Sequence, residues 1–100
     1  MTYSITNVEQ ENRGSADSVV ATVDITSLDS AGFEPFDPSA ALGIDDVADY
    51  GARVCGQENT AYLIRWDTAN SRISVVNVSD GTDVTDTTDV GEVVLEFVGF

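Results

Sequence analysis

The chain alternates apolar and polar residues with a period of two over most of its length, the spacing of half-buried β-strands. Tyr3 and Ile5 alternate with Thr2, Ser4 and Thr6, which predicts a first strand. Residues 12–18, "NRGSADS", are rich in Gly, Ser and Asp and predict a turn. Val19, Ala21, Val23 and Ile25 then share one face, with Thr22, Asp24 and Thr26 on the other. Residues 27–32, "SLDSAG", read as a loop.

Further on, Tyr62, Ile64 and Trp66 oppose Leu63 and Arg65, and Ile73 and Val75 resume the apolar face after "DTAN" at 67–70. This predicts a β-hairpin over 61–77, with Asn70 as the turn residue suited to a left-handed conformation. Residues 79–91, "SDGTDVTDTTDVG", show two turn-like ends around a short segment near Val84. Val93, Leu95 and Phe97 face inward in a last strand, against Glu92, Val94 and Glu96. The expected core is Tyr62, Ile64, Trp66, Ile73, Val93, Leu95 and Phe97.

No segment carries sustained helical spacing. The best helical candidate is one turn at 38–42, with Pro38 at its first position and Asp37 as its cap. The pattern therefore predicts an all-β fold: a small antiparallel β-sandwich or barrel of six to eight strands in a single domain spanning 1–100.

Residues 32–44, "GFEPFDPSAALGI", interrupt the alternation. Pro35 and Pro38 fix their own φ angles and bias Glu34 and Asp37 toward extended backbone, so the segment reads as a stiff connection. In one reading Phe33 or Phe36 plugs the open end of the sandwich while Leu42 and Ile44 re-enter the core. In the other, Phe33, Pro35, Phe36 and Leu42 form an exposed arm that docks on a neighbouring subunit. Large apolar side chains are more often buried than presented, which favours the plug.

Composition narrows the function. A length of 100 residues allows one modest core. No apolar run is long enough to span a membrane as a helix, and residues 1–10 lack the basic and apolar regions of a secretory signal. Asp and Glu number 18, against four arginines (Arg13, Arg53, Arg65 and Arg72), with no lysine and no histidine, for a formal net charge of −14. Such a chain repels nucleic acid and anionic membranes, so neither is an expected partner. The balance resembles that of proteins from extreme halophiles, especially haloarchaea. At about 1 M salt the screening length is roughly 3 Å, so dense surface carboxylates hardly repel one another.

The candidate chemistry is sparse. Without histidine there is no Ser–His or Cys–His pair, and a small hydrolase has no nameable nucleophile or base. Cys55 has no partner for an intrachain disulfide and is expected as a small apolar filler in the core. Glu96 is expected on a solvated strand face, pointing away from Leu95 and Phe97. Asp80, Asp83, Asp86 and Asp89 recur every three residues among threonines, a weak candidate set for calcium that lacks EF-hand spacing. Asn77 begins an N-V-S glycosylation sequon. No phosphate-binding loop occurs, and no cofactor is expected.

Three segments, in order, resemble a family of small proteins encoded near the major capsid protein in many tailed viruses. Gly32-Phe33-Glu34-Pro35-Phe36-Asp37-Pro38-Ser39-Ala40-Ala41-Leu42-Gly43-Ile44 is similar to its G-G-E-P-L-T-P-A-x-L-G-L pattern. The run from Tyr62 to Ile73 is similar to its Y-x-F-x-[YF]-D-x-x-N-x-K-[LI] pattern. Gly81 to Val84, Thr88 to Val90 and Val93 to Gly99 resemble its closing G-T-E-V, T-D-L and strand pattern. Phe33 stands at the family's second Gly, Phe36 and Asp37 at its Leu and Thr, and Arg72 at its Lys.

The resemblance covers about the last two-thirds of the chain. It implies a virion structural protein, a capsid decoration or turret subunit without enzyme activity. Such a subunit would be made in the host cytoplasm and carried on the outer capsid surface. Its expected partners are the major capsid protein and further copies of itself. A tail or connector protein is the nearest alternative. A cellular calcium- or carbohydrate-binding β-module is another.

Overall fold

The computed structural model describes residues 2–13, 16–44 and 47–99, with side chains described for 2–10, 18–44 and 52–98. The elements in chain order are β1 (Tyr3–Arg13), β2 (Ala16–Ile25), β3 (Phe33–Pro35), α1 (Pro38–Leu42), β4 (Val47–Gln57), β5 (Tyr62–Asp67), β6 (Arg72–Asn77) and β7 (Gly91–Gly99). They form two antiparallel sheets, one of four strands in the order β1-β2-β7-β4 and one of three in the order β3-β6-β5. The fold is a small all-β sandwich.

Alternation accounts for the strands it predicts. On β2, Val19, Ala21, Val23 and Ile25 are buried, and β-branched residues suit this pleated, half-buried position. They lie directly opposite Phe97, Leu95, Val93 and Gly91 of β7, which puts both apolar stripes on one side of the sheet. Ile64 of β5 and Ile73 and Val75 of β6 face them from the other sheet, with Tyr62 and Trp66 packed at the margin of the same cluster. Hydrogen bonding pairs β5 with β6 from Tyr62–Asn77 to Asp67–Arg72, so the predicted hairpin forms in full.

Two strands depart from the pattern. β1 runs on to Arg13 and β2 begins at Ala16, so residues 12–13 and 16–18 of the predicted turn are strand, and 14–15 lie outside the described residues. Polar strand residues such as Asn7, Glu9 and Gln10 hid this extension, since residues 6–10 of β1 are exposed. Sequence reading assigned no element to 47–57, where β4 lies. Its register shifts between Val47 and Ala52 and again between Val54 and Gly56, so no strict period of two survives in that segment.

The hairpin turn also differs. The left-handed residue is Ser71, with φ 48°, and not Asn70. Asn70 instead donates its side-chain amide to Asp67 Oδ2 at 2.9 Å, bracing the turn from outside.

Candidate functional site

Residues 32–44 run along the edge of the three-stranded sheet and then close one end of the sandwich. Phe33–Pro35 pairs antiparallel with β6, with Phe33 opposite Ser74 and Pro35 opposite Arg72. Pro35 lacks an N–H, which the edge position of β3 tolerates. Phe36 follows, 1% exposed. Its ring stacks on Phe97 at 5.9 Å between centroids, meets Trp66 edge-on at 6.3 Å and leans on Tyr3 at 5.4 Å. Phe36 is thus the plug, and it has no surface to offer a neighbour.

The helical turn forms as the sequence predicts. Asp37 Oδ1 accepts from the Ser39 N–H at 3.0 Å, Pro38 holds the first position and Gly43 ends the turn at φ 74°. Ile44 re-enters the core, and Leu42 packs half-buried against it. Among the four arm residues, Pro35 is exposed and Phe33 and Leu42 keep partial exposure.

Gly32, which opens the first segment of the resemblance, is bonded to the third and to Val75, two residues past the second. Its N–H donates to Val84 O at 2.8 Å and its carbonyl accepts from the Val75 N–H at 2.9 Å, while the Val84 N–H donates back to Val75 O at 3.3 Å. An isolated bridge between Val76 and Asp83 continues this seam. At φ 84° the residue sits where side chains are disfavoured, and an added Cβ would stand 2.6 Å from Asp83 Cγ. The dihedral favours glycine, and a side chain here would also have to displace that of Asp83.

Glu34, which sequence reading did not single out, is 1% exposed and points inward from β3. The Thr2 hydroxyl donates to its Oε2, and the Asp29 N–H donates to its Oε1 at 3.2 Å. Burial pushes its carboxyl above the ordinary value of 4.5, and these two hydrogen bonds oppose the shift. The carbonyl of Thr2 accepts in turn from the Thr26 and Ser27 N–H groups, both at 3.1 Å. One carboxylate therefore fastens the start of β1 and the loop after β2 to the 32–44 segment. The sequence signals were its place between Phe33 and Pro35 and its match to the Glu of the G-G-E-P pattern.

On the outer side of β3, the Arg72 guanidinium lies 4.2 Å from the centre of the Phe33 ring. Its Nε also donates to Asp67 Oδ2 at 3.1 Å. The hydrogen bond from Asn70, then that from Arg72, holds the Asp67 carboxyl below its ordinary range.

The aspartates of the Thr/Asp stretch do not converge. Asp80 Oδ1 accepts from the Thr82 N–H at 3.0 Å and from its hydroxyl at 2.7 Å, which closes a local turn and lowers its pKa. Asp89 Oδ1 accepts from the Gly91 N–H at 3.1 Å. Asp83 sits against Gly32, and Asp86 is exposed. Among the described residues, no group of three acidic or cysteine side chains is arranged to hold a metal ion.

The Asn77 amide donates to Thr82 O at 3.4 Å and to Thr82 Oγ1 at 3.3 Å, so the sequon nitrogen is engaged in bracing this loop. Cys55 is exposed, which corrects the expectation of a core filler. It stands on the outer side of β4, between the half-buried Val54 and Gly56, and its thiol reaches Val94 O at 3.6 Å. The expected outward face of Glu96 holds, and Arg53 Nε donates to its Oε1 at 2.8 Å from the strand alongside.

An open, largely apolar pocket of about 570 Å³ lies between β1 and α1, lined among the described residues by Tyr3, Ser4, Ile5, Asp37, Ala40 and Ala41. The architecture defines a small acidic β-sandwich with a plugged end and an apolar margin. No protein-family model, no curated protein and no solved structure matches this chain.

Proposed function

We propose that the chain is a structural protein of a tailed virus of a halophilic archaeon, a capsid decoration or turret subunit assembling symmetrically on the outside of the major capsid protein. The observation that carries this reading is the node at Gly32. The first and third segments meet there through the Gly32 N–H and the Val84 carbonyl, and the second is held beside the first by the pairing of Glu34 with Ile73 and Pro35 with Arg72. The glycine that opens the first motif is also the residue whose backbone the meeting requires.

The composition supports the setting. At −14 the surface suits molar salt, where it stays solvated while its charges are screened. Small β-domains repeated around symmetric capsomers gain strength from many weak contacts. Leu42, which retains exposure at the α1 end of the 32–44 segment, is the residue proposed to touch the capsid, while Phe33 and Pro35 lie on the sheet face beside it.

Density-gradient purification of particles in molar salt, followed by quantitative mass spectrometry, tests the reading. Copy numbers comparable to the major capsid protein are expected. A handful of copies would point to a tail or connector component. Absence from particles would overturn the virion reading.

A further inference from the structure

We propose that the outer face of the three-stranded sheet is a self-association surface, seating a second copy of this chain by the acidic outer face of its four-stranded sheet. This names one contact of the assembly proposed above, and it rests on that reading only for its biological setting.

Strand register defines the first face. Leu63 lies opposite Val76, Arg65 opposite Ser74, and Asp67 opposite Arg72, with Phe33 and Pro35 beside them on β3. The Val78 N–H bonds to Ala61 O, so Val78 continues the row of Leu63 and Val76. Leu63 is 42% exposed and Val78 60%. They are two of the three exposed large apolar residues among those described, the third being Val8. Two of the three arginines whose side chains are described also stand here, Arg65 exposed and Arg72 stacked on Phe33. The acidic residue of these strands on this face, Asp67, is already engaged by Arg72 and Asn70.

The opposite side of the sandwich has the complementary character. Outward positions of the four-stranded sheet include Glu9 opposite Val20, Val20 opposite Glu96, and Asp24 opposite Glu92. Arg53 is engaged by Glu96. Half-buried Val20, Val94 and Val98 lie among these carboxylates. In a chain this poor in cations, an apolar face bearing two arginines fits an acidic face bearing valines. Arg is suited to the contact because its planar guanidinium pairs with carboxylates in fixed geometry.

The two surfaces lie on opposite sides of one molecule, so the contact is head-to-tail and either closes a ring or propagates. Two strands of six residues and one of three, spaced by about 4.8 Å, give a patch of roughly 250 Å². A stable pair of free proteins buries about 800 Å² on each partner. Free copies therefore associate weakly, and the contact gains strength where many copies are held together.

Sedimentation velocity and amide chemical shifts, recorded from micromolar to millimolar protein in salt that keeps the chain folded, test the proposal. The sedimentation coefficient is expected to rise with concentration. Shifts should move at Leu63, Arg65, Ser74 and Val78 on one side, and at Glu92, Val94 and Glu96 on the other. Arg65→Glu and Leu63→Ser should each weaken association at least about tenfold, roughly 1.4 kcal/mol. Val8→Ser, at the margin of β1, should leave it unchanged. A mixture of Arg65→Glu with Glu92→Arg chains should regain it, and circular dichroism checks that each variant is folded.

Concentration-independent sedimentation up to millimolar would overturn the proposal. So would parental association in both face variants, or shifts confined to other surfaces. A monomeric chain that is abundant in particles would remove this contact and leave the virion reading intact. Association in solution by a chain absent from particles would do the reverse.

Discussion

At the scale of single residues, two positions in the 32–44 segment are set by backbone and burial more than by hydrophobicity. Gly32→Ala places a side chain at φ 84° and against Asp83, and should cost about 2 kcal/mol or more of stability in denaturant unfolding. Glu34 makes a pH-dependent contribution with a definite sign. Its folded pKa is raised above 4.5, so the folded chain binds the extra proton. The stability it gives is present below 4.5 and is lost as pH rises through the raised value. Glu34→Gln keeps an acceptor for the Asp29 N–H and gains a donor for the Thr2 hydroxyl. Subtracting the variant's pH–stability curve from the parent's should give a difference that declines above pH 4.5, with the variant at least as stable at neutral pH. A flat difference would remove the buried carboxylate as its source. Both residues match the G-G-E-P pattern of the resemblance, but the physical reason for each was not legible in sequence. A glycine in a loop and a glutamate between Phe33 and Pro35 give no sign of close approach or burial until distant segments meet around them.

At the scale of elements, legibility followed periodicity. β2, the β5–β6 hairpin and β7 carry unbroken alternation and formed as predicted, and the Pro38 turn was readable from its cap. β4 was not, because its two register shifts break the period while its pairing with β7 survives. Cys55 was misplaced for the same reason: with the strand unrecognised, its outward side could not be assigned. The plug shows how one element depends on others. Phe36 belongs to a connecting segment, yet it touches the rings of Tyr3, Trp66 and Phe97 from three different strands. Phe36→Ala should therefore cost about 3–5 kcal/mol, a large share of a small domain's stability. Thermal unfolding checks this, and a loss below 1 kcal/mol would mean the end of the sandwich closes without it.

At the scale of the whole molecule, charge dominates. The net charge of −14 works against compactness in dilute buffer. Within the fold, Asp24 lies directly opposite Glu92 across the β2–β7 pairing, a like-charge neighbour pair that costs stability. Raising potassium chloride from about 0.1 M to 1 M shortens the screening length from roughly 10 Å to 3 Å and should stabilise the fold by at least about 1 kcal/mol. For a domain of this size that is a melting shift of about 4–8 °C. Asp24→Asn should reduce the salt dependence, and a melting temperature independent of salt would contradict the charge argument.

The proposed place of this chain is the outer surface of a virus capsid, where cryo-electron microscopy of particles purified in molar salt would see it. Density for a sandwich about 42 Å long, repeated with the symmetry of the capsomers on the outer surface, is expected. The 32–44 segment should be turned toward the capsid protein. Density for this chain confined to the tail or the portal vertex, or found nowhere on the particle, would contradict it.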